Sequence, residues 1–327
     1  ARQVDWPAWI SAEQTLRVDV NAQRSPLASL NFTALRIKDA VCDALRDACG
    51  ARPSVDTHAP DLPLVLYAGP GHATLYADTS GEGLFKRGWR DARGAQGEAP
   101  LKETLAAAML AAAGWQGRAE DGALLDPCCG AGTIAIEAAQ IACGLAPGLQ
   151  RRFAFERQLP FKPHLAAWRD LKRAAQARVH ASAVPIFAGD VSFRMTDFAA
   201  HNAERAGVMT PALKAIEFKT ADALQRMPPA EHGVLMMNPP YGERIAPKGR
   251  GSGSRQGFDG AGTPDDFFAA LASHWKAHYA GWTAWLLSPE MKLPSLMRLK
   301  ESRRVPLWNG PIECRMFRFD IVSGAHR

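Results

Sequence analysis

The chain has 327 residues, 47% of them hydrophobic, enough to bury one large core and a second small one. Lys and Arg number 39 against 33 Asp and Glu, a formal charge of +6 that suits an anionic partner without identifying one. The six cysteines form no C-x-x-C pair, which argues against a structural zinc site; with no signal-peptide pattern they predict reduced thiols and a cytoplasmic setting, and no metal is expected.

The chain opens at Ala1 rather than Met, inside a small-domain pattern, which predicts further residues upstream. Leu16, Val18 and Val20 alternate with polar residues over 15–20, the period of a half-buried strand. Ala34, Ile37, Val41, Leu45 and Ala48 then fall on one helical face, with Gly50 placed to stop the helix. Leu64 to Tyr67 and Ala73 to Ala77 read as a hairpin around Gly69-Pro70-Gly71. A Gly- and Arg-rich stretch from Gly81 to Pro100 marks a domain boundary, giving a small α+β domain over 1–88 and a larger domain over 89–327. Leu105 to Trp115 is the most apolar run, but it is too short to cross a bilayer and is patterned as a packed helix; no membrane segment is expected.

Beyond the boundary, strand-length apolar runs alternate with helical patterns: Ala123–Leu125, Val184–Ala188, Ala215–Phe218, Val234–Met237 and Thr283–Leu287. That alternation predicts an α/β doubly wound, Rossmann-like parallel sheet. Val305–Trp308 and Ile312–Val322, joined at Asn309-Gly310, predict an antiparallel hairpin at its edge. Leu145 to Ala183 reads as a long insertion, and Ala246 to Thr263 as a surface loop.

The run from Leu124 to Thr133 (LLDPCCGAGT) is a strand ending in an acid, a glycine-rich turn and a helix start. Gly130 and Gly132 permit close backbone approach, and N–H groups at a helix start attract polar atoms. Asp126 can hold a cationic amino group such as that of S-adenosylmethionine. Three readings stay open at this point: a methyl-donor site, a dinucleotide fingerprint satisfied by Gly130, Gly132 and Ala135, and a structural turn. The candidate cofactor residues are Asp126, Cys128, Gly130, Gly132 and Thr133, joined by Asp190 for ribose hydroxyls, Asp222 for an adenine amino group and the backbone at Ala221.

Asn238-Pro239-Pro240-Tyr241 follows the fourth strand at the carboxyl edge, where open α/β sheets bind ligands. An exocyclic amine conjugated to a ring is a poor nucleophile. Two acceptors, the Asn238 side-chain carbonyl and the Pro239 backbone carbonyl, can hold its N–H groups and stabilise developing charge. Tyr241 offers a face on which an unstacked base can lie. A dehydrogenase has no use for this tetrapeptide beside the glycine turn, so the pair of motifs favours methyl transfer.

The blocks LRIKD (35–39), DTSGEGLFKRGWR (78–90), APLKE (99–103), DPCCGAGTIAIEAA (126–139), NPPYGER (238–244) and NGPIECRMFRF (309–319) resemble the THUMP-containing bacterial 23S rRNA guanine-N2 methyltransferases, the RlmL-like group of class I enzymes. The resemblance implies S-adenosylmethionine as donor, a THUMP-like N-terminal domain that helps bind ribosomal RNA or its precursor, and residues 238–241 at the target amine; a monomer is favoured. The chain departs from that pattern at Ser192, where the family has a second acid after Asp190. Two basic clusters are phosphate candidates: Arg151, Arg152, Lys162, Arg169, Lys172, Arg173 and Arg178, and then Lys248, Arg250 and Arg255. Trp168 reads as packing. The alternatives are an adenine-N6 methyltransferase and a catalytically inactive RNA-binding protein.

Overall fold

The computed structural model describes residues 1–90, 101–239 and 264–322. They fall into two compact units, Ala1–Lys86 with Gln150–Ala174, and Arg87–Leu149 with Ala175–Arg327. Among the described residues no helix is long and apolar enough to cross a membrane.

The first unit is a four-stranded sheet covered by one helix. Strands β1 (Thr15–Ala22), β2 (Ser54–Val55), β3 (Leu62–Ala68) and β4 (Ala73–Ala77) lie in the order β2-β1-β3-β4, with only β4 antiparallel to its neighbour. Helix α1 (Leu30–Cys49) starts at Ser29, whose hydroxyl accepts the Phe32 N–H, and ends at Gly50 in the left-handed region at φ 78°. Val41, Cys42 and Leu45 pack on Leu16, Leu62 and Leu64. Ala48, expected on this face, is exposed, as are Leu30, Phe32 and Leu35. Twenty residues of helix rise about 30 Å, more than the short strands beneath can cover, so both ends overhang.

Residues 150–174, which fall within the second domain expected over 89–327, pack with this first unit. Arg151 is removed from the phosphate candidates. It is 6% exposed, and its guanidinium donates to the carbonyls of Ser80, Glu82, Gly83 and Lys86, binding the segment to the loop after β4. Trp168 lies edge-on to Phe153 and Phe155 at 5.6 and 5.2 Å, a packing role.

The second unit is a seven-stranded sheet in the order β10-β11-β9-β8-β5-β6-β7. Its strands are β5 (Ala123–Asp126), β6 (Ile186–Asp190), β7 (Ile216–Thr220), β8 (Gly233–Met237), β9 (Thr283–Ser288), β10 (Arg303–Asn309) and β11 (Ile312–Asp320). Strands β5 to β9 are mutually parallel; β11 runs against both neighbours, as the direct Asn309-Gly310 turn requires. Helices α2 (Glu103–Ala113), α3 (Thr133–Ala142), α5 (Phe193–Arg205), α6 (Pro264–His278) and α7 (Leu293–Met297) cover the two faces, while α4 (Leu165–Gln176) begins in the first unit. Both faces are buried: in β9, Trp285 and Leu287 enter one core while Ala284 and Leu286 enter the other. This is why its sequence reads as a continuous apolar run rather than an alternation.

Candidate active site

Strands β5 and β8 are neighbours, with Leu125 paired to Leu235, so Asp126 and Asn238 leave the sheet at the same edge. From β5 the chain proceeds toward β6, and from β8 toward β9 on the opposite side. A crevice forms where such connections diverge.

The glycine turn is shaped by backbone demands. Gly130 and Gly132 have φ values of 51° and 80°, a region that side-chain-bearing residues rarely occupy. A Cβ at Gly130 would meet nothing within 4 Å, whereas one at Gly132 would lie 3.0 Å from Ala199 Cβ, so Gly132 also admits α5. Gly132 precedes α3 without any side-chain cap, which leaves N–H groups of the first helical turn free to meet a ligand.

The three predicted acids converge on this turn. Asp126, 1% exposed, accepts the Cys128 N–H at 3.3 Å. Asp190 accepts the N–H of Gly130 at 3.1 Å and of Ser192 at 2.9 Å, so it also holds the glycine turn to β6, a job the sequence did not reveal. The Ala221 N–H donates to the Asp190 carbonyl, and Asp222 accepts the Leu224 N–H. Burial pushes the Asp126 carboxyl well above the usual range, with the charge of Asp190 adding to the effect. Burial likewise raises Asp190, against the pull of its two N–H partners. Burial, and then the charges of Asp126, Asp190 and Asp222, push up the Cys128 thiol. No salt bridge reaches any of the three acids among the described residues, and an unpaired carboxylate is costly where it is buried, as at Asp126.

Asn238 stands at the end of β8, and its Oδ1 is buried with no hydrogen-bond partner among the described residues. An unpaired buried acceptor costs about 1–3 kcal/mol, a penalty that a donor on a ligand would remove. Pro239 is buried beside it. Pro240, Tyr241 and the basic residues Lys248, Arg250 and Arg255 lie outside the described residues. Thr133 opens α3, but its hydroxyl accepts from Arg90 at 2.7 Å.

Sequence reasoning passed over Arg90 and Glu103 as site residues, although both lie in the quoted blocks. It also missed Asn202, which donates to the Ala131 carbonyl at 2.9 Å. The available signal was faint: Arg87 and Arg90 are three apart and Thr133 and Glu137 four apart, each pair on one face of a turn.

Residues 87–318 match the methyltransferase domain described as RMKL-like, and residues 1–78 match the THUMP domain. The chain belongs to the RMKL-like methyltransferase family. The RMKL-like chain is 39% identical to a ribosomal RNA large subunit methyltransferase K/L of Shewanella baltica, over 99% of the chain and 43% of that protein. It is 37% identical to the protein of the same description from Shewanella pealeana, over 95% of the chain and 41% of that protein. The chain thus spans less than half the length of the curated relatives it matches. Among solved structures, the "predicted N6-adenine-specific DNA methylase" of Listeria monocytogenes superposes with a TM-score of 0.79 at 25% identity, over 98% of the chain and 77% of that chain. TrmN from Thermus thermophilus shares the fold at a TM-score of 0.60 and 20% identity, over 98% of the chain and 76% of that chain.

Proposed function

We propose that the chain transfers a methyl group from S-adenosylmethionine to the exocyclic N2 amine of a guanine in large-subunit ribosomal RNA. The observation that carries this reading is the buried Asn238 Oδ1 at the crest of β8, without a partner among the described residues and one strand from the acid-lined glycine turn. The description of the Shewanella relatives as large-subunit rRNA methyltransferases supports the substrate class.

The residues fit the donor. An uncapped helix start, a glycine with open space at Cβ and three acids lacking a cation among the described residues suit a ligand with an ammonium group and sugar hydroxyls. When bound, S-adenosylmethionine supplies an electrophilic methyl group on a sulfonium. Asp126 would hold the ammonium, Asp190 the ribose hydroxyls, and Asp222 with the Ala221 backbone the adenine. Cys128, Gly130, Gly132 and Thr133 would form the turn around the methionine part. Asn238 Oδ1 and the Pro239 carbonyl would accept the two N–H groups of the target amine, holding its nitrogen toward the methyl carbon and drawing off positive charge as it grows. Tyr241 would offer its ring face to the unstacked base, and Pro240 belongs to the same tetrapeptide. The methylated nitrogen is acidic enough to release its proton to water. The N-terminal domain, expected over 1–88, would contribute RNA binding.

The test is methyl transfer from labelled S-adenosylmethionine to 23S rRNA, with the product nucleoside identified by mass. We expect N2-methylguanosine. Labelled N6-methyladenine would replace this reading with the adenine alternative, and donor binding without transfer to any nucleic acid would favour the inactive RNA-binding protein.

A further inference from the structure

We infer that Arg90 is a positioning residue for the donor site, acting through Thr133 to hold the glycine turn in its binding shape before the donor arrives. The inference rests on the methyltransferase reading above.

Arg90 sits on a short strap, Arg87–Arg90, fastened to three helices. Its Nε donates to Glu103 Oε1 at 2.6 Å, and its Nη2 donates to the Leu101 carbonyl at 2.8 Å and to Thr133 Oγ1 at 2.7 Å. Glu103 is 2% exposed and is the first residue of α2, where a helix N-terminus favours negative charge. One turn along α3, Glu137 takes Arg87 through two nitrogens, both at 3.1 Å. From α5, Arg205 donates to the Trp89 carbonyl at 3.0 Å, and the Trp89 ring is buried in the core.

The glycine turn is therefore gripped at three of its residues from different elements. Asp190 of β6 takes the Gly130 N–H, Asn202 of α5 donates to the Ala131 carbonyl, and Arg90 of the strap donates to the Thr133 hydroxyl. Two left-handed glycines leave this turn with more conformational freedom than any other residues would, so its shape has to be imposed from outside.

Stability does not explain the choice of residues. Placing a guanidinium at the N-terminus of α3 opposes the helix dipole, and apolar residues of similar size commonly serve stability as well as a buried ion pair. What the guanidinium adds is direction: its planar fork ties together three acceptors from two segments, 101–103 and the start of α3. Fixing the turn in advance lowers the ordering cost of donor binding and leaves the Asn238 chemistry untouched. The expected signature is a weaker donor affinity that a conservative variant keeping the acceptor restores.

Thr133→Val keeps the shape of the side chain and removes the acceptor; Thr133→Ser keeps the acceptor. By calorimetric titration with S-adenosylmethionine, Thr133→Val should bind on the order of tenfold more weakly, the loss of one charge-assisted hydrogen bond, while Thr133→Ser stays within about twofold of wild type. Arg90→Lys should match Thr133→Val, and the double variant should be no worse than either single one. If the two losses instead multiply, Thr133 meets the donor by itself and the inference fails. It also fails if Thr133→Val melts lower but binds normally, or if Thr133→Ser is as weak as Thr133→Val. Should Arg90→Lys not fold, the Val and Ser pair still decides. A wild-type chain that binds no donor would instead overturn the methyltransferase reading, a result distinct from any of these.

Discussion

In the THUMP-containing unit, Asp61 accepts the Thr15 N–H at 2.9 Å and the Thr15 hydroxyl at 3.1 Å, and pairs with Arg157. Asp56 accepts two N–H groups of its own turn, and these bonds lower its carboxyl. At the crest of the methyltransferase sheet, Asp126 and Asp190 are shifted the other way, by burial, and with Asp222 they have no cation among the described residues. The same residue type thus has its carboxyl lowered at Asp56 in one unit and raised at Asp126 and Asp190 in the other, where the proposed function puts a ligand. What separates the two is burial: Asp190, like Asp56, accepts two backbone N–H groups, yet desolvation outweighs them and raises its carboxyl, the kind of shift that makes a residue a candidate for a functional site.

The largest expected effect tests the crest itself. Asn238→Ala should lower single-turnover methyl transfer on the order of 100- to 1000-fold, the size of a lost charge-stabilising contact, with donor affinity unchanged. Parallel losses in rate and affinity would show that Asn238 supports the cofactor turn instead. Next, Asp126→Asn should weaken donor binding by about 10- to 100-fold, as measured by calorimetry. The same variant should melt higher than wild type at pH 8 when donor-free, because it no longer has to ionise in a buried site.

A pH series sharpens the contrast. For Asp126 and Asp190 the folded pKa exceeds the unfolded one, so the folded state binds more protons across that window. Their contribution is complete below the ordinary carboxyl range and is lost as pH rises through the raised values. Asp56 has the opposite sign, with stability present above its ordinary value and lost as pH falls through the lowered one. Scanning calorimetry of the donor-free chain should therefore show a melting temperature that declines from mildly acidic toward alkaline pH, and saturating donor should flatten the decline. A decline that donor leaves untouched would remove the crest acids as its source. The smallest effect is that of Asp61→Ala, which should cost roughly 1 kcal/mol in denaturant unfolding and leave donor affinity as it was. A change in donor affinity would break the distinction between the two kinds of acid.

Local pattern alone determined much of this protein. Period-two alternation placed β1, apolar runs between turn residues placed β5 to β9, and Asn309-Gly310 placed the hairpin of β10 and β11, because each of these signals is contained within a few neighbouring residues. The glycine turn before α3 was legible for the same reason, since its two left-handed glycines stand within three consecutive residues. Strand β2 was not legible, because two residues have no period. Nor was the membership of residues 150–174 in the first unit, which rests on Arg151 reaching carbonyls some seventy positions away. Only the tertiary structure put Asp190 on the Gly130 N–H and Arg90 on Thr133, contacts between segments 60 and 43 residues apart. Hydrogen-bond partners so distant leave no period and no spacing in the chain; they exist only once the sheet order has brought the segments together.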